Sequence, residues 1–265
     1  MLKIAVCVKA VPDPDEADKI KIDPTTRMLV RVDVSLVINP LDKCALEAAL
    51  QLKEKAGAEI TVVSMGPPPA ENIVKECLAL GADHGYLLCD QAFAGADAFA
   101  TAFTLACAIR KLGPFDVVFC GRGSSDGATE WVGPEVATFL DWPVVTMVKE
   151  LLECTKEDWV VKANLENGYR LIKVKLPAVF TVTRELNTPR ALSFSGILKA
   201  RNKEITEWAI QDLGVPEDEV GLKGSPTVVS EMTHIERKRE CEFIEGTMGE
   251  KAQMLIQKLV EGGVL

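Results

Sequence analysis

Phe115-Asp-Val-Val-Phe-Cys-Gly-Arg-Gly-Ser-Ser-Asp-Gly-Ala-Thr-Glu-Trp-Val-Gly-Pro-Glu-Val-Ala-Thr-Phe-Leu-Asp-Trp-Pro143 opens on an apolar run, Val117 to Cys120, of the length of a buried strand. It continues through Gly121-Arg-Gly-Ser-Ser-Asp-Gly-Ala-Thr129, almost without bulk, and then enters a helical pattern expected to start near Glu130 and stop before Pro143. A strand, a small polar loop and a helix N-terminus in that order can cradle an anion. Glycine lets the backbone approach, Ser and Thr donate hydrogen bonds, and the first helical N–H groups lack intrahelical partners. The same pattern also suits an ordinary surface loop, and the stretch alone leaves both readings open.

Outward from this stretch, strands and helices alternate. Lys3–Lys9 reads as a buried strand, followed by a Pro-rich connection, Val11-Pro-Asp-Pro-Asp15. Lys19-Ile-Lys-Ile-Asp23 and Met28-Leu-Val30 read as a surface hairpin turning at Pro24-Thr-Thr. Val34–Ile38 is apolar. Asn39 suits the N-cap of a helix running to about Lys55, with Pro40 in its first turn, Asp42 favoured by the helix dipole and Gly57 as its stop. Strand Glu59–Met65, helix 70–80, strand Gly85–Cys89 and helix Ala98–Leu112, capped by Asp97, lead back to the opening stretch. The alternation predicts a doubly wound, mostly parallel α/β sheet, in which ligands sit at the C-terminal strand ends. Cys7-Val-Lys9, Asn39, Met65-Gly66 and Gly121–Thr129 all fall at such ends and are expected to line one crevice.

After Pro143 the pattern changes to an antiparallel insertion, Val144–Glu150, Trp159–Leu165 and Arg170–Val174, before a buried strand, Val179–Thr183. Arg184–Lys203 is mixed. A Gly/Pro/acidic linker, Leu213–Ser225, is expected to end the α/β domain (1–225). An extended arm (226–265) then carries an amphipathic helix, Thr247–Val260, whose apolar side is expected to pack on something other than its own core.

The 265 residues suffice for one large domain or two small ones, and 48% hydrophobic with 26% charged residues is a globular composition. A net charge of −9 argues against a nucleic-acid surface. Eight scattered cysteines without a C-x-x-C pair are expected to be reduced, buried thiols in a cytoplasmic protein rather than disulfides or metal ligands. No apolar run has the length and purity of a signal peptide or a membrane span. His84 and His234 have no partner pattern for catalysis, and no G-x-x-x-x-G-K-[ST] supports a phosphate-transferring enzyme. No catalytic residue is expected. The row Lys43, Glu47 and Glu54 reads as a solvated helix face. Trp142 reads as core, whereas Trp131 is a candidate to reach a ligand.

Seven pieces in order resemble the β (small) subunit of electron transfer flavoproteins. They are Ala5-Val-Cys-Val-Lys9, Asn39-Pro-Leu-Asp42, Leu78-Ala-Leu-Gly-Ala-Asp83, Gly121-Arg-Gly-Ser-Ser-Asp-Gly127, Phe139-Leu-Asp-Trp-Pro143, Lys175-Leu-Pro-Ala-Val179, and Arg184-Glu-Leu-Asn-Thr-Pro-Arg190 running into Ile197-Leu-Lys-Ala200. The resemblance implies an adenine-nucleotide-binding fold and a heterodimer with an FAD-carrying α subunit, on which the C-terminal arm would pack. It also implies a nucleotide in the crevice. The positions that carry over are Cys7, Asn39 to Asp42, Met65, the run Ser124, Ser125, Asp126, Gly127, Ala128, Thr129 to Gly133, and with them Arg122 and Gly123. A recognition loop, about 189–201, would anchor a partner FAD-dependent dehydrogenase (acyl-CoA dehydrogenase-like or acting on 2-hydroxy acids) through Phe194, with Leu192 and a basic rim of Lys199, Arg201 and Lys203. On the residues alone, Phe194 equally suits a cap on the local core.

Within that family, Val11-Pro-Asp-Pro-Asp15 with Lys21-Ile-Asp-Pro-Thr25, Ile38-Asn-Pro-Leu-Asp-Lys43 and Ala92-Phe-Ala-Gly-Ala-Asp97 resemble the electron-bifurcating branch. There the β-subunit nucleotide is FAD, which takes hydride from NADH; one electron goes to ferredoxin or flavodoxin and the other, through the α-subunit FAD, to the dehydrogenase. Gly127-Ala-Thr129 leaves room for a flavin, and Arg122 is placed to stabilise its anionic reduced form. Bifurcating relatives carry Gln-Ala-Ile where this chain has Gly123-Ser-Ser125, and Asp at Ala128. The alternative is the non-bifurcating branch, in which AMP is a structural nucleotide and electrons pass to or from acyl-CoA-type dehydrogenases.

Overall fold

Ile4 and Val6 point to one face of the first strand, and Ala5 and Cys7 to the other, and all four are buried. That alternation recurs along the central strands, so the sheet must be covered on both sides. The computed structural model describes residues 1–19, 21–22, 29–30, 34–230 and 241–264, which divide into two units, Met1–Ser230 and Glu231–Leu265.

In chain order the first unit contains β1 (Leu2–Cys7), β2 (Ala10–Pro12), β3 (Lys21–Ile22), β4 (Leu29–Val30), β5 (Leu36–Ile38), α1 (Pro40–Ala56), β6 (Ala58–Met65), α2 (Glu71–Leu80) and β7 (His84–Leu88). There follow α3 (Ala98–Leu112), β8 (Val117–Gly121), α4 (Val132–Leu140), β9 (Val144–Cys154), β10 (Asp158–Leu165), β11 (Gly168–Lys175), β12 (Ala178–Val182), α5 (Phe194–Ala200), β13 (Ile205–Trp208) and α6 (Ile210–Leu213). Nine strands form one sheet in the order β11-β10-β9-β12-β8-β1-β6-β7-β13. All pairings from β9 to β13 are parallel, while β9, β10 and β11 pair antiparallel. This is the doubly wound α/β architecture expected.

Ile4, Val6, Ile60, Val62, Phe119 and Phe180 share a core with Leu46 and Leu50 of α1 and Ile73 and Leu78 of α2. Ala5, Cys7, Val63, Val118 and Cys120 pack instead with Leu105 and Ile109 of α3 and Val136 and Leu140 of α4. A one-residue slip in any central strand would exchange the two sets, which is why the register is well specified.

Several boundaries differ from the sequence reading, each for a local reason. The antiparallel strands extend the main sheet, and Trp159, fully buried, stacks on Phe180 at 5.1 Å. The Pro-rich connection contributes a strand, β2, paired with β5. Ile205–Trp208, unassigned in the sequence, adds an edge strand beside β7. The expected surface hairpin is present as β3 paired with β4, and its turn lies outside the described residues, as does His234. Cys154 and Cys241 are exposed rather than buried. Asp97 caps α3 as expected, its Oδ1 accepting from the Ala100 N–H at 3.0 Å. No helix among the described residues is long and apolar enough to cross a membrane.

The supposed solvated face of α1 is wrong at Glu47, which is 5% exposed. Its carboxylate accepts from Arg190 Nε at 2.8 Å and Nη2 at 3.0 Å, and Glu54 takes Nη1 at 2.5 Å. Burial works against the charge of Glu47, but the Arg190 hydrogen bonds prevail and hold its carboxyl below the usual range. Arg190→Ala would remove the guanidinium and leave that buried carboxylate only two neutral donors, the backbone N–H of position 190 and Gln51 Nε2, so it is expected to cost about 3 kcal/mol in urea unfolding. Glu54→Ala, at an exposed position where solvent screens the pair, is expected to leave the urea midpoint close to that of wild type.

The second unit, described from Cys241, holds α7 (Met248–Glu261), one residue offset from the expected helix. A capping box opens it: Thr247 Oγ1 accepts from the Glu250 N–H, and the Glu250 carboxylate accepts from the Thr247 N–H at 2.8 Å. None of its residues is buried, and Met254, Leu255, Ile256 and Val260 lie exposed.

Candidate cofactor site

The order in which strands are added reverses at β1. The chain reaches β6 on one side of it by way of α1, and β8 on the other by way of α3 across the opposite face. The crevice at the C-terminal ends of β1 and β8 is therefore the topological switch point, where ligands bind in open α/β sheets.

Two side chains of the α1 entry build this crevice. Asp42, buried in the first turn, accepts from the Lys9 N–H with Oδ2 at 2.8 Å and from the Gly121 N–H with Oδ1 at 2.9 Å. One carboxylate thus ties the ends of β1 and β8. Asn39, 1% exposed, donates from Nδ2 to the Gly123 carbonyl at 2.9 Å and accepts from the Ser125 N–H with Oδ1 at 3.2 Å. It occupies the N-cap position but makes no side-chain cap bond. Gly121 is required by the close approach: a Cβ there would lie 2.4 Å from Asp42 Oδ1 and 2.8 Å from the Leu41 carbonyl carbon. Burial pushes the Asp42 carboxyl up to about 6, against the hydrogen bonds it accepts.

The loop then closes on itself. Ser124 accepts the Ala128 N–H at its carbonyl at 2.9 Å and the Gly127 N–H at Oγ at 3.3 Å. Ala128 and Glu130 adopt left-handed backbone at φ 49° and 62°. No helix can pass through them, so α4 starts at Val132 rather than near Glu130. Trp131 at its N-cap position makes no capping bond and is exposed, and the first N–H groups of α4 have no intrahelical acceptor. Gly133 is fixed by packing, since a Cβ would lie 2.4 Å from Thr181 Cγ2.

Lys9 Nζ reaches Asp126 Oδ1 at 2.7 Å and Ser124 Oγ at 3.4 Å. Arg122 Nη2 reaches Glu130 Oε1 at 2.6 Å. Cys7 and Cys120 end neighbouring strands; their hydrogen bond and burial push the Cys120 thiol well above its ordinary range. Met65 ends β6 on the other flank of β1. The structure thus gathers Cys7, Asn39, Asp42 and the run Arg122–Thr129 around one crevice, with Met65 at the neighbouring strand end. Asn39 and Asp42 hold the loop through backbone groups, while Ser125, Asp126, Gly127, Ala128 and Thr129 form the exposed arc. Lys9, two residues past β1, belongs to the stretch expected to line the crevice, and its cation reaches the loop as that placement implies. Glu130 was named only within the run Ser124 to Gly133 and had no role of its own, because its backbone twist appears only in the folded chain. Trp142 is half-buried against the α3–α4 core, as expected.

This arrangement suits a phosphate. Small side chains, loop N–H groups, a helix N-terminus and two cations converge where the strands end.

Where α5 packs on α2, Phe194 starts the helix and is 76% exposed, which excludes it as a cap on the local core. Leu192 and Lys199 are also exposed. Ser193 Oγ caps the helix through the Gly196 N–H at 3.1 Å. Lys203 is not part of a basic rim: it is half-buried and donates to the Ala82 carbonyl.

A family model for the electron transfer flavoprotein domain matches residues 26–213. The chain is 46% identical over 259 residues to the electron transfer flavoprotein subunit beta of Thermoanaerobacterium thermosaccharolyticum, covering 97% of this chain and 98% of the relative. It is 42% identical over 266 residues to the caffeyl-CoA reductase-Etf complex subunit CarD of Acetobacterium woodii. It is 37% identical over 271 residues to the acryloyl-CoA reductase electron transfer subunit gamma of Anaerotignum propionicum. Each of the latter two alignments spans 100% of both chains. The chain belongs to the electron transfer flavoprotein family, as a β subunit.

Proposed function

We propose that this β subunit pairs with an FAD-carrying α subunit and itself holds FAD in the β1–β8 crevice, as part of an electron-bifurcating system. FAD bound there would supply the acceptor for hydride from NADH, its electron pair then parting between ferredoxin or flavodoxin and, through the α-subunit FAD, a partner FAD-dependent dehydrogenase. The observation that carries the reading is the exposed arc Gly127-Ala128-Thr129, whose small side chains leave the space beyond the phosphates open. The chain's own residues divide the work. Loop N–H groups and the start of α4 would hold the diphosphate, Asn39 and Asp42 would keep the loop rigid, and Cys7 and Met65 would flank the adenosine half. Arg122 would present positive charge to the flavin. Two full-length relatives whose names join an electron-transfer subunit to a CoA-ester reductase favour this reading over a structural AMP.

The uncovered apolar positions of α7 supply a surface for the α subunit, and Phe194 with Leu192 and Lys199 a surface for the dehydrogenase. The test is the nucleotide content of the purified αβ pair. Two FAD per heterodimer, both bleached by NADH, is the expected result. One FAD with extractable AMP would overturn it in favour of the non-bifurcating alternative.

A further inference from the structure

The cradle contains a pairing that a plain phosphate site would not need. Arg122 leaves β8 with its N–H on the Val182 carbonyl at 2.9 Å, and its guanidinium turns to Glu130 across the loop, Nη2 to Oε1 at 2.6 Å. That is a close ion pair without the aligned, two-pronged fork of hydrogen bonds that an arginine forms with a well-placed carboxylate. Arg122 Nε is buried without a hydrogen-bond partner. Glu130 makes the contact from a left-handed backbone, and Gly123 lies beneath it: a Cβ at Gly123 would come within 3.1 Å of Glu130 Cγ. Both partners are about two-fifths exposed, 41% and 43%, so solvent screens most of their attraction. The clasp is weak, strained on one side, and closed over a cation that has unused donors.

We propose that Glu130 is a positioning residue for Arg122: it holds the guanidinium at the mouth of the cradle and masks its charge until an anionic group of the nucleotide displaces the carboxylate. A phosphate can take two aligned N–H groups of Arg122, whereas the Glu130 contact is an ion pair without an aligned hydrogen bond, so exchange gains hydrogen bonds for the guanidinium. It also frees Glu130 from the contact that its left-handed backbone serves. This inference rests on the crevice being a nucleotide site, and it holds whether the resident is FAD or AMP.

The test is a double-mutant cycle on the αβ pair freed of β-subunit nucleotide, titrated calorimetrically with AMP and, separately, with inorganic pyrophosphate. Glu130→Gln removes the competing charge and is expected to tighten both ligands about tenfold. In the Arg122→Gln background the same substitution is expected to change neither affinity by more than about twofold, because no guanidinium remains to unmask. Equal tightening in both backgrounds would mean that Glu130 acts as a general negative charge, and no tightening that it masks nothing; either result overturns the proposal. Glu130→Gly, which accepts the left-handed backbone without strain, guards against a folding artefact and is expected to match Glu130→Gln. One FAD with AMP would sink the bifurcation reading and leave the calorimetric cycle standing.

Discussion

Replacing Asp42 with alanine is expected to destabilise the folded chain by about 3 kcal/mol and to release the cofactor loop. The carboxylate is the acceptor for two backbone donors, Lys9 N–H and Gly121 N–H, that end adjacent strands. Alanine would strand both, at about 1–3 kcal/mol for each buried donor left without a partner. Asparagine cannot ionise, but its Nδ2 faces one of these two N–H donors at a cost that does not depend on pH, so the charge is read from the pH dependence of the difference alone. Burial raises the Asp42 carboxyl from 3.8 to about 6. The folded chain therefore binds this proton more readily than the unfolded chain does. The stability associated with the neutral acid is complete below about pH 4 and is lost as pH rises through 6. The shift corresponds to on the order of 3 kcal/mol. Glu47 and Asp83, whose carboxyls are held low, impose the opposite slope, so only a difference is informative. Urea unfolding of wild type and Asp42→Asn between pH 4 and pH 7 is expected to show the wild type losing ground steadily to the variant. Parallel curves would show that Asp42 does not titrate in this range.

The same residue shows how far the sequence could be read. Asn39-Pro-Leu-Asp42 was legible as a helix entry, and α1 does begin at Pro40. Local rules assign Asn39 to capping and Asp42 to the dipole because those rules see only the helix that follows. The actual partners, Gly123, Ser125 and Gly121, lie 79 to 86 positions away. They come within reach only because β8 returns beside β1. Glu47 was misread for the same reason, since its cation, Arg190, is 143 residues distant. Patterns local to the chain did expose what depends on near neighbours, namely the continuous apolar run of β1, the helical spacing of α1 and the Asp97-capped, small-residue α3. They passed over β13, whose four residues are too short to show a period and are held by pairing with β7. At the cradle, glycine and serine content marked the loop. The left-handed turns at Ala128 and Glu130, which decide where α4 begins, occur at residues that ordinarily avoid that conformation.

Phe194→Ala is expected to separate two activities that a loss of folding would reduce together. With 76% of its surface exposed at the first position of α5, Phe194 contributes little to its own domain, so its truncation should shift stability by less than about 0.5 kcal/mol. The backbone beneath it is fixed independently. Ser193 caps α5, and Gly196 packs so closely on α2 that a Cβ would lie 2.2 Å from the Ala79 carbonyl oxygen. Arg190, clamped to α1, holds the preceding chain. A large aromatic presented on a rigid base pays little ordering entropy on docking, which is what makes such residues dominant anchors. Losing an anchor worth about 2 kcal/mol weakens binding about 30-fold. Electron delivery to the partner dehydrogenase, measured at sub-saturating partner, should therefore fall by that order. NADH oxidation by the αβ pair with an artificial acceptor should stay within about twofold, because the cradle lies at the strand ends and makes no use of α5. A parallel fall in both would place Phe194 in the cofactor machinery instead. Leu192→Ala, on the same exposed surface, should show a smaller loss of the same selectivity, since a flanking apolar contact excludes water around an anchor without filling its pocket.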